Sequence, residues 1–160
     1  AYYDDLEFCW RSRLAGFNVG LAPDSRCHHK YTPCASPERL YLRERNRLLT
    51  WLALPRRRTI LLTAPGLVAS LAVTAVYALA RGWGGVVARL ARGFLRADTW
   101  RSIHRHRQAV QALRVRPDAA IVRQFAGRLA VPGFNPAWLR YLVNPLFHLY
   151  WACVRRLIIW

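Results

Sequence analysis

Residues 4–23 read DDLEFCWRSRLAGFNVGLAP. The first part favours a helix. Asp4, Asp5 and Glu7 fall in its first turn, where the positive end of the helix dipole favours carboxylates. Leu6, Trp10 and Leu14 recur at i, i+4 and i+8, the spacing of a buried stripe. Gly16 suits the position just past a helix C-terminus. The period then changes: Phe17, Val19 and Leu21 alternate with Asn18 and Gly20 before Pro23, which predicts a short strand. SRCHHKY (25–31) reads as a second short strand or a loop. A helix followed by short strands predicts an α/β unit for the opening of the chain.

Further on, Ser36-Pro37-Glu38 is a helix start: a capping hydroxyl, a proline at the first helical position and an acid in the first turn. The helix SPERLYLRERNRLLTWLAL runs from there to Pro55. After PRRRT comes a run of 22 residues without a charge, 59–80, TILLTAPGLVASLAVTAVYALA. About 20 apolar residues cross the hydrocarbon core of a bilayer. Pro65-Gly66 interrupts the run and leaves roughly 15 residues beyond it. Its length favours membrane insertion; the break leaves spanning, re-entrant and buried soluble forms open. GGVVARLARGFLRA (84–97) is cationic and amphipathic, with Arg89, Arg92 and Arg96 on one face, as in a helix lying in a membrane interface. NPAWLRYLVNPLFHLYWACVRRLIIW (135–160) gathers Trp138, Tyr141, Tyr150, Trp151 and Trp160 among apolar residues, a composition suited to headgroup depth.

Charge is unevenly placed along the 160 residues, whose formal net charge is +17. Residues 1–58 hold 11 bases and 6 acids; residues 59–160 hold 14 bases and only Asp98 and Asp118 as acids. A cationic, apolar remainder calls for an anionic partner, nucleic acid or an anionic membrane surface. RSIHRHR (101–107) and the interleaved aromatics suit the first, but no nucleic-acid motif is present and the uncharged run is ill suited to a soluble binder. Cys27 and Cys34 enclose six residues, wider than a usual zinc knuckle, and the four cysteines read as free thiols. The chain begins at Ala1 and contains no methionine, which reads as a piece of a longer protein.

Three acids within four residues can favour a helix start, bind a divalent cation or supply a general base. The pattern around them narrows the choice. Asp4-Asp5, Glu7, Trp10-Arg11, Gly16, Pro23-Asp24, His29 and Arg45-Asn46-Arg47 fall in an order that resembles family 2 of the inverting glycosyltransferases, most of all the bacterial rhamnosyltransferase-type members. The resemblance is specific over about residues 3–52 and looser to about residue 116. It implies that residues 1–55 are the C-terminal part of a GT-A catalytic domain, an α/β remnant. Residues 56–160 then form a basic, mainly α-helical, membrane-associated extension.

The resemblance also implies roles. Asp5 matches the catalytic base, which takes the proton from an acceptor hydroxyl as its oxygen attacks the anomeric carbon of a nucleotide-sugar. Asp4, Trp10, Arg11, Arg45 and Arg47 match donor or acceptor contacts. Each also has a plain structural use: Trp10 in core packing, Arg11 in an i, i+4 pair with Glu7, Arg45 and Arg47 on a solvated helix face. His29 matches a residue that reaches the nucleotide-bound metal, Mg²⁺ or Mn²⁺ in the full-length enzyme. The implied partners are a nucleotide-sugar donor, a lipid-linked or saccharide acceptor and the cytoplasmic face of a bacterial membrane, with no nucleic acid. The nucleotide-binding half of such enzymes, with its Asp-x-Asp motif, has no counterpart here, so this chain alone is expected to be inactive. The alternative is a non-enzymatic helical membrane protein in which residues 1–58 cap a bundle.

Overall fold

A computed structural model describes residues 2–28, 35–131 and 134–160. Among them are seven α-helices: α1 Asp4–Leu14, α2 Pro37–Ala53, α3 Arg57–Ala80, α4 Gly84–Phe94, α5 Ala97–Ala112, α6 Asp118–Val122 and α7 Asn144–Leu157. A π-helical turn, Leu139–Val143, leads directly into α7. Pro145 explains that turn. It has no N–H to offer the preceding turn, and the Asn144 amide reaches back five residues to Leu139.

The expected α/β remnant is corrected by this architecture. The described residues contain no strand and no sheet, only an isolated antiparallel bridge between Val131 and Phe134. The 17–23 stretch has no strand beside it. Guanidinium groups tie it down at three points instead: Arg13 donates to the Val19 carbonyl at 2.9 Å, and Arg116 donates to the preceding Gly16 O and to Asn18 Oδ1, both at 2.9 Å. The alternating residues do not share a buried face either, since Phe17 and Leu21 are both exposed. Period-two alternation shows which residues would share a face, but a strand also needs a partner for its ladder. Residues 29–31, the end of the second candidate strand, lie outside the described residues.

Helix α2 begins as its sequence directs. Ser36 Oγ accepts the Arg39 N–H at 3.3 Å, with Pro37 next to it, and α2 ends just before Pro55. The end of α1 is closed from a distant part of the chain: Val115 and Arg116 donate their amides to the Leu14 carbonyl at 2.7 and 3.0 Å.

The proline does not stop α3, which continues through Pro65-Gly66 for 24 residues. Tyr150 of α7 and Gly66 of α3 accommodate the irregularity. The Tyr150 hydroxyl donates to Leu62 O at 2.7 Å and accepts the Gly66 N–H at 3.2 Å, bridging one rung of the ladder. Gly66 also lets α7 approach, because a β-carbon there would sit 2.7 Å from a Tyr150 ring carbon.

The start of α3 is held by Asp118, the fully buried first residue of α6. Its Oδ2 accepts the Arg56 amide at 2.7 Å and the Thr59 hydroxyl at 2.6 Å, while Oδ1 pairs with Arg114. Trp160 Nε1 joins the same hub by donating to Thr59 Oγ1 at 2.9 Å. One hydrophobic cluster joins Trp10, Leu14, Leu54, Val110 and Ile121, so α1, the end of α2, α5 and α6 share a core. A second joins Leu40 of α2 to Tyr77 and Ala78 of α3, Val86 of α4 and Leu139. A third seats Trp151, Val154 and Ile158 against Val122. Residues on both sides of position 55 therefore pack into common cores.

Candidate functional site

The acids of α1 stand at a constrained entry to the helix. Tyr2 and Tyr3 both adopt left-handed backbone, with φ of 68° and 70°. That conformation costs a side-chain-bearing residue roughly 1–2 kcal/mol. Asn46 of α2 supports it by donating Nδ2 to the Tyr2 carbonyl at 2.8 Å. Burial raises the Tyr3 phenol above its ordinary pKa, with Arg47 acting against that shift.

Asp4 and Asp5 are exposed. Asp5 Oδ1 accepts the Leu6 N–H at 2.8 Å, a local contact that orients the carboxylate and leaves its other oxygen open. Among the described residues neither aspartate has a cation partner. Glu7 differs: Arg11 Nε lies 2.8 Å from its Oε1 and Nη2 lies 3.3 Å from Oε2. Donating to the Glu7 carboxylate holds the Arg11 guanidinium above its ordinary pKa. His106 of α5 brings Nε2 to 3.4 Å from the same Glu7 Oε1. Asp4, Glu7, Asn46, Ser102 and His106 line a cleft of about 330 Å³ where α1, α2 and α5 meet.

The other site candidates divide between this neighbourhood and the interior. Arg45 donates to Asn46 Oδ1 at 2.9 and 3.1 Å and lies over the Tyr41 ring, so it steadies the amide that holds Tyr2. Arg47 donates Nε to Glu44 at 2.9 Å, and Arg43 donates Nε to the other oxygen at 3.3 Å. Glu44 is only 3% exposed and is neutralised by those two arginines. Trp10 is 2% exposed, with Trp51 and Phe125 edge-on to it at 5.1 and 4.8 Å. Its ring is core, closed to a sugar, and its Nε1 has no hydrogen-bond partner among the described residues. His29 lies outside the described residues. No group of three or more His, Cys, Asp or Glu side chains converges as a metal site among the described residues, so the residues seen here do not form a complete ligand set.

Glu44, His106 and Asp118 escaped the sequence reading. Glu44 had a signal: it stands midway between Leu40 and Leu48 on the buried stripe of α2, three residues before Arg47. His106 had none, since only the packing of α5 brings it to α1. No family model, curated protein or solved structure matches the chain.

Proposed function

We propose that the chain is part of a family 2 inverting glycosyltransferase that moves a sugar from a nucleotide-sugar to a lipid-linked saccharide acceptor. It works at the cytoplasmic face of a bacterial membrane, in cell-envelope polysaccharide synthesis. The observation that carries this reading is the free state of Asp5. In a chain of formal charge +17, Asp5 is exposed, unpaired with any cation among the described residues, and held in the first turn of α1 with one oxygen on the Leu6 amide and the other open. A general base needs that state. As the acceptor oxygen bonds to the anomeric carbon, its proton passes to Asp5. The bond from that carbon to the diphosphate breaks on the opposite side, and the configuration inverts. Asp4 adds negative potential beside it. Arg45 and Asn46 act through the Tyr2 backbone and set where α1 begins. The nucleotide-binding half has no counterpart in these residues and His29 lies outside the described ones, so no step is assigned to the divalent metal or the nucleotide.

Membrane association is supported by surfaces of α3 and α7. α3 is long and apolar enough to cross a membrane, with mean hydropathy 1.9 over its best window and 28% of that window buried. Leu61, Val68 and Leu79 of α3 are exposed. So are Leu142, Leu146, Leu149 and Leu157, which recur along one side of the π turn and α7. These stripes alone would also suit a non-enzymatic membrane protein.

The test is Asp5→Asn in the enzyme that contains this chain, assayed for transfer from a panel of nucleotide-sugars to a membrane lipid extract. A loss of about 10²–10⁴-fold with donor binding intact is expected. Unchanged transfer would return Asp5 to a helix-start role and leave the membrane protein reading.

A further inference from the structure

Apart from the cleft beside α1, a recess of about 440 Å³ lies between α2, α3, α7 and the 125–131 segment, within the usual size range of small-molecule sites. Its walls are mainly apolar: Trp51, Leu67, Val73, Phe125, Phe147 and Trp151. Most polar groups around it are committed. Thr63 accepts from Trp51 Nε1 at 2.9 Å and donates to Thr59 O at 2.7 Å, and the Tyr150 hydroxyl is held on Leu62 and Gly66.

The charged groups of its lining are one-sided. Arg43, Arg47 and Arg128 stand against Glu44 alone. Glu44 accepts from Nε and Nη2 of Arg47 and from Nε of Arg43, which leaves Nη1 of Arg47 and both terminal nitrogens of Arg43 uncommitted by it. Arg128 is exposed and makes no ion pair among the described residues. An apolar chamber with surplus guanidinium at its edge is complementary to an amphiphile with an anionic head, and the fork of an arginine suits phosphate.

We propose that this cavity binds a single-chain amphiphile with a phosphate headgroup, its chain between α3 and α7 and its phosphate on Arg43, Arg47 and Arg128. At about 30 Å³ for a water-sized unit, the space accommodates one chain of roughly a dozen carbons. Each buried methylene strengthens binding by about fourfold. The source is the membrane: one face of α3 lines the cavity through Gly66, Ser70 and Val73, and its opposite face carries exposed Leu61, Val68 and Leu79, so the cavity lies directly behind the surface that meets the bilayer. This inference rests on the membrane part of the reading above and not on sugar transfer. Loss of transfer in Asp5→Asn bears on one, and phosphate-amphiphile binding bears on the other.

The test uses the full 160-residue chain in phosphatidylcholine nanodiscs, titrated with dodecyl phosphate, dodecanol and inorganic phosphate at matched concentrations while tryptophan fluorescence is followed. Dodecyl phosphate is expected to bind saturably, at least about tenfold tighter than dodecanol, with inorganic phosphate giving no comparable signal. Ser70→Phe, which plugs the cavity, should weaken dodecyl phosphate by about tenfold or more at unchanged helix content; Ser70→Leu serves if the larger ring disturbs folding. Arg43→Gln with Arg128→Gln should reduce dodecyl phosphate to the dodecanol level. Equal affinity for dodecanol, equal affinity for inorganic phosphate, or indifference to the plugs would each overturn the proposal.

Discussion

The Tyr150 hydroxyl and Gly66 meet across two helices, the amide donating to the phenol oxygen at 3.2 Å while the same phenol donates to Leu62 O at 2.7 Å. A side chain of α7 thus serves the backbone of α3 just past Pro65, where the ladder is already one donor short. Tyr150→Phe is expected to lower stability by about 1 kcal/mol, the typical net value of one hydrogen bond. Denaturation followed by circular dichroism reads this; an unchanged midpoint would mean that α3 needs no help at its proline.

Glycine-to-alanine changes should have opposite signs at two places. At Gly66 a β-carbon would lie 2.7 Å from the Tyr150 ring and 3.1 Å from Phe147, so overpacking of about 1–3 kcal/mol outweighs the better helix propensity. At Gly93 of α4 nothing lies within 4 Å of the same atom. There Gly93→Ala should stabilise by about 0.5–1 kcal/mol. A midpoint that holds or rises in Gly66→Ala would contradict the close α3–α7 approach.

The parts of this fold that local chemistry encodes were legible. The Ser36-Pro37 start of α2, the stop at Pro55 and the Leu6-Trp10-Leu14 stripe of α1 each depend on residues a few positions apart. The failures depended on distant residues. FNVGLAP has the alternation of a strand, but no strand lies beside it, and its distant contacts are Arg13 on the Val19 carbonyl and Arg116 on Asn18. Pro65-Gly66 has the chemistry of a break, yet Tyr150, 84 residues on from Gly66, bridges it. At the candidate site, Asp4, Asp5 and the Glu7–Arg11 pair could be read from spacing alone. His106 could not, because its neighbour on Glu7 is set by how α5 packs.

Asp118 should be the most costly single site in the chain to alter. Its carboxylate is fully buried, joins Arg114 to the N-terminus of α3 and receives the Thr59 hydroxyl that Trp160 also uses. Asp118→Asn keeps the shape but leaves the Arg114 guanidinium, whose side chain is only 5% exposed, without its counter-charge. Removing one partner of a buried pair typically costs about 3–5 kcal/mol. Thermal unfolding checks the size, and Asp98→Asn is the control: its partners Arg96 and Arg101 are solvent-exposed, so a change below about 1 kcal/mol is expected there. Equal effects at the two positions would show that burial does not set the value of this pair.

The exposed stripe of α7 makes a prediction about a cysteine. Cys153 is exposed and lies on the stripe of Leu142, Leu146, Leu149 and Leu157, whereas Cys27 is exposed on the polar side of the chain among Ser25, Arg26 and His28. If that stripe faces lipid, a water-soluble maleimide should label Cys27 and spare Cys153 in vesicles, and label both after denaturation. With Cys9 and Cys34 replaced by serine, the two remaining thiols can be scored separately by peptide mass. A high-salt wash sharpens the reading, because arginines held only by charge release as salt screens them, while leucines buried in hydrocarbon do not. Protection of Cys153 that survives the wash places α7 in the apolar layer. Protection lost with salt places it at the headgroups, and rapid labelling of Cys153 before any wash would remove the membrane from this face altogether.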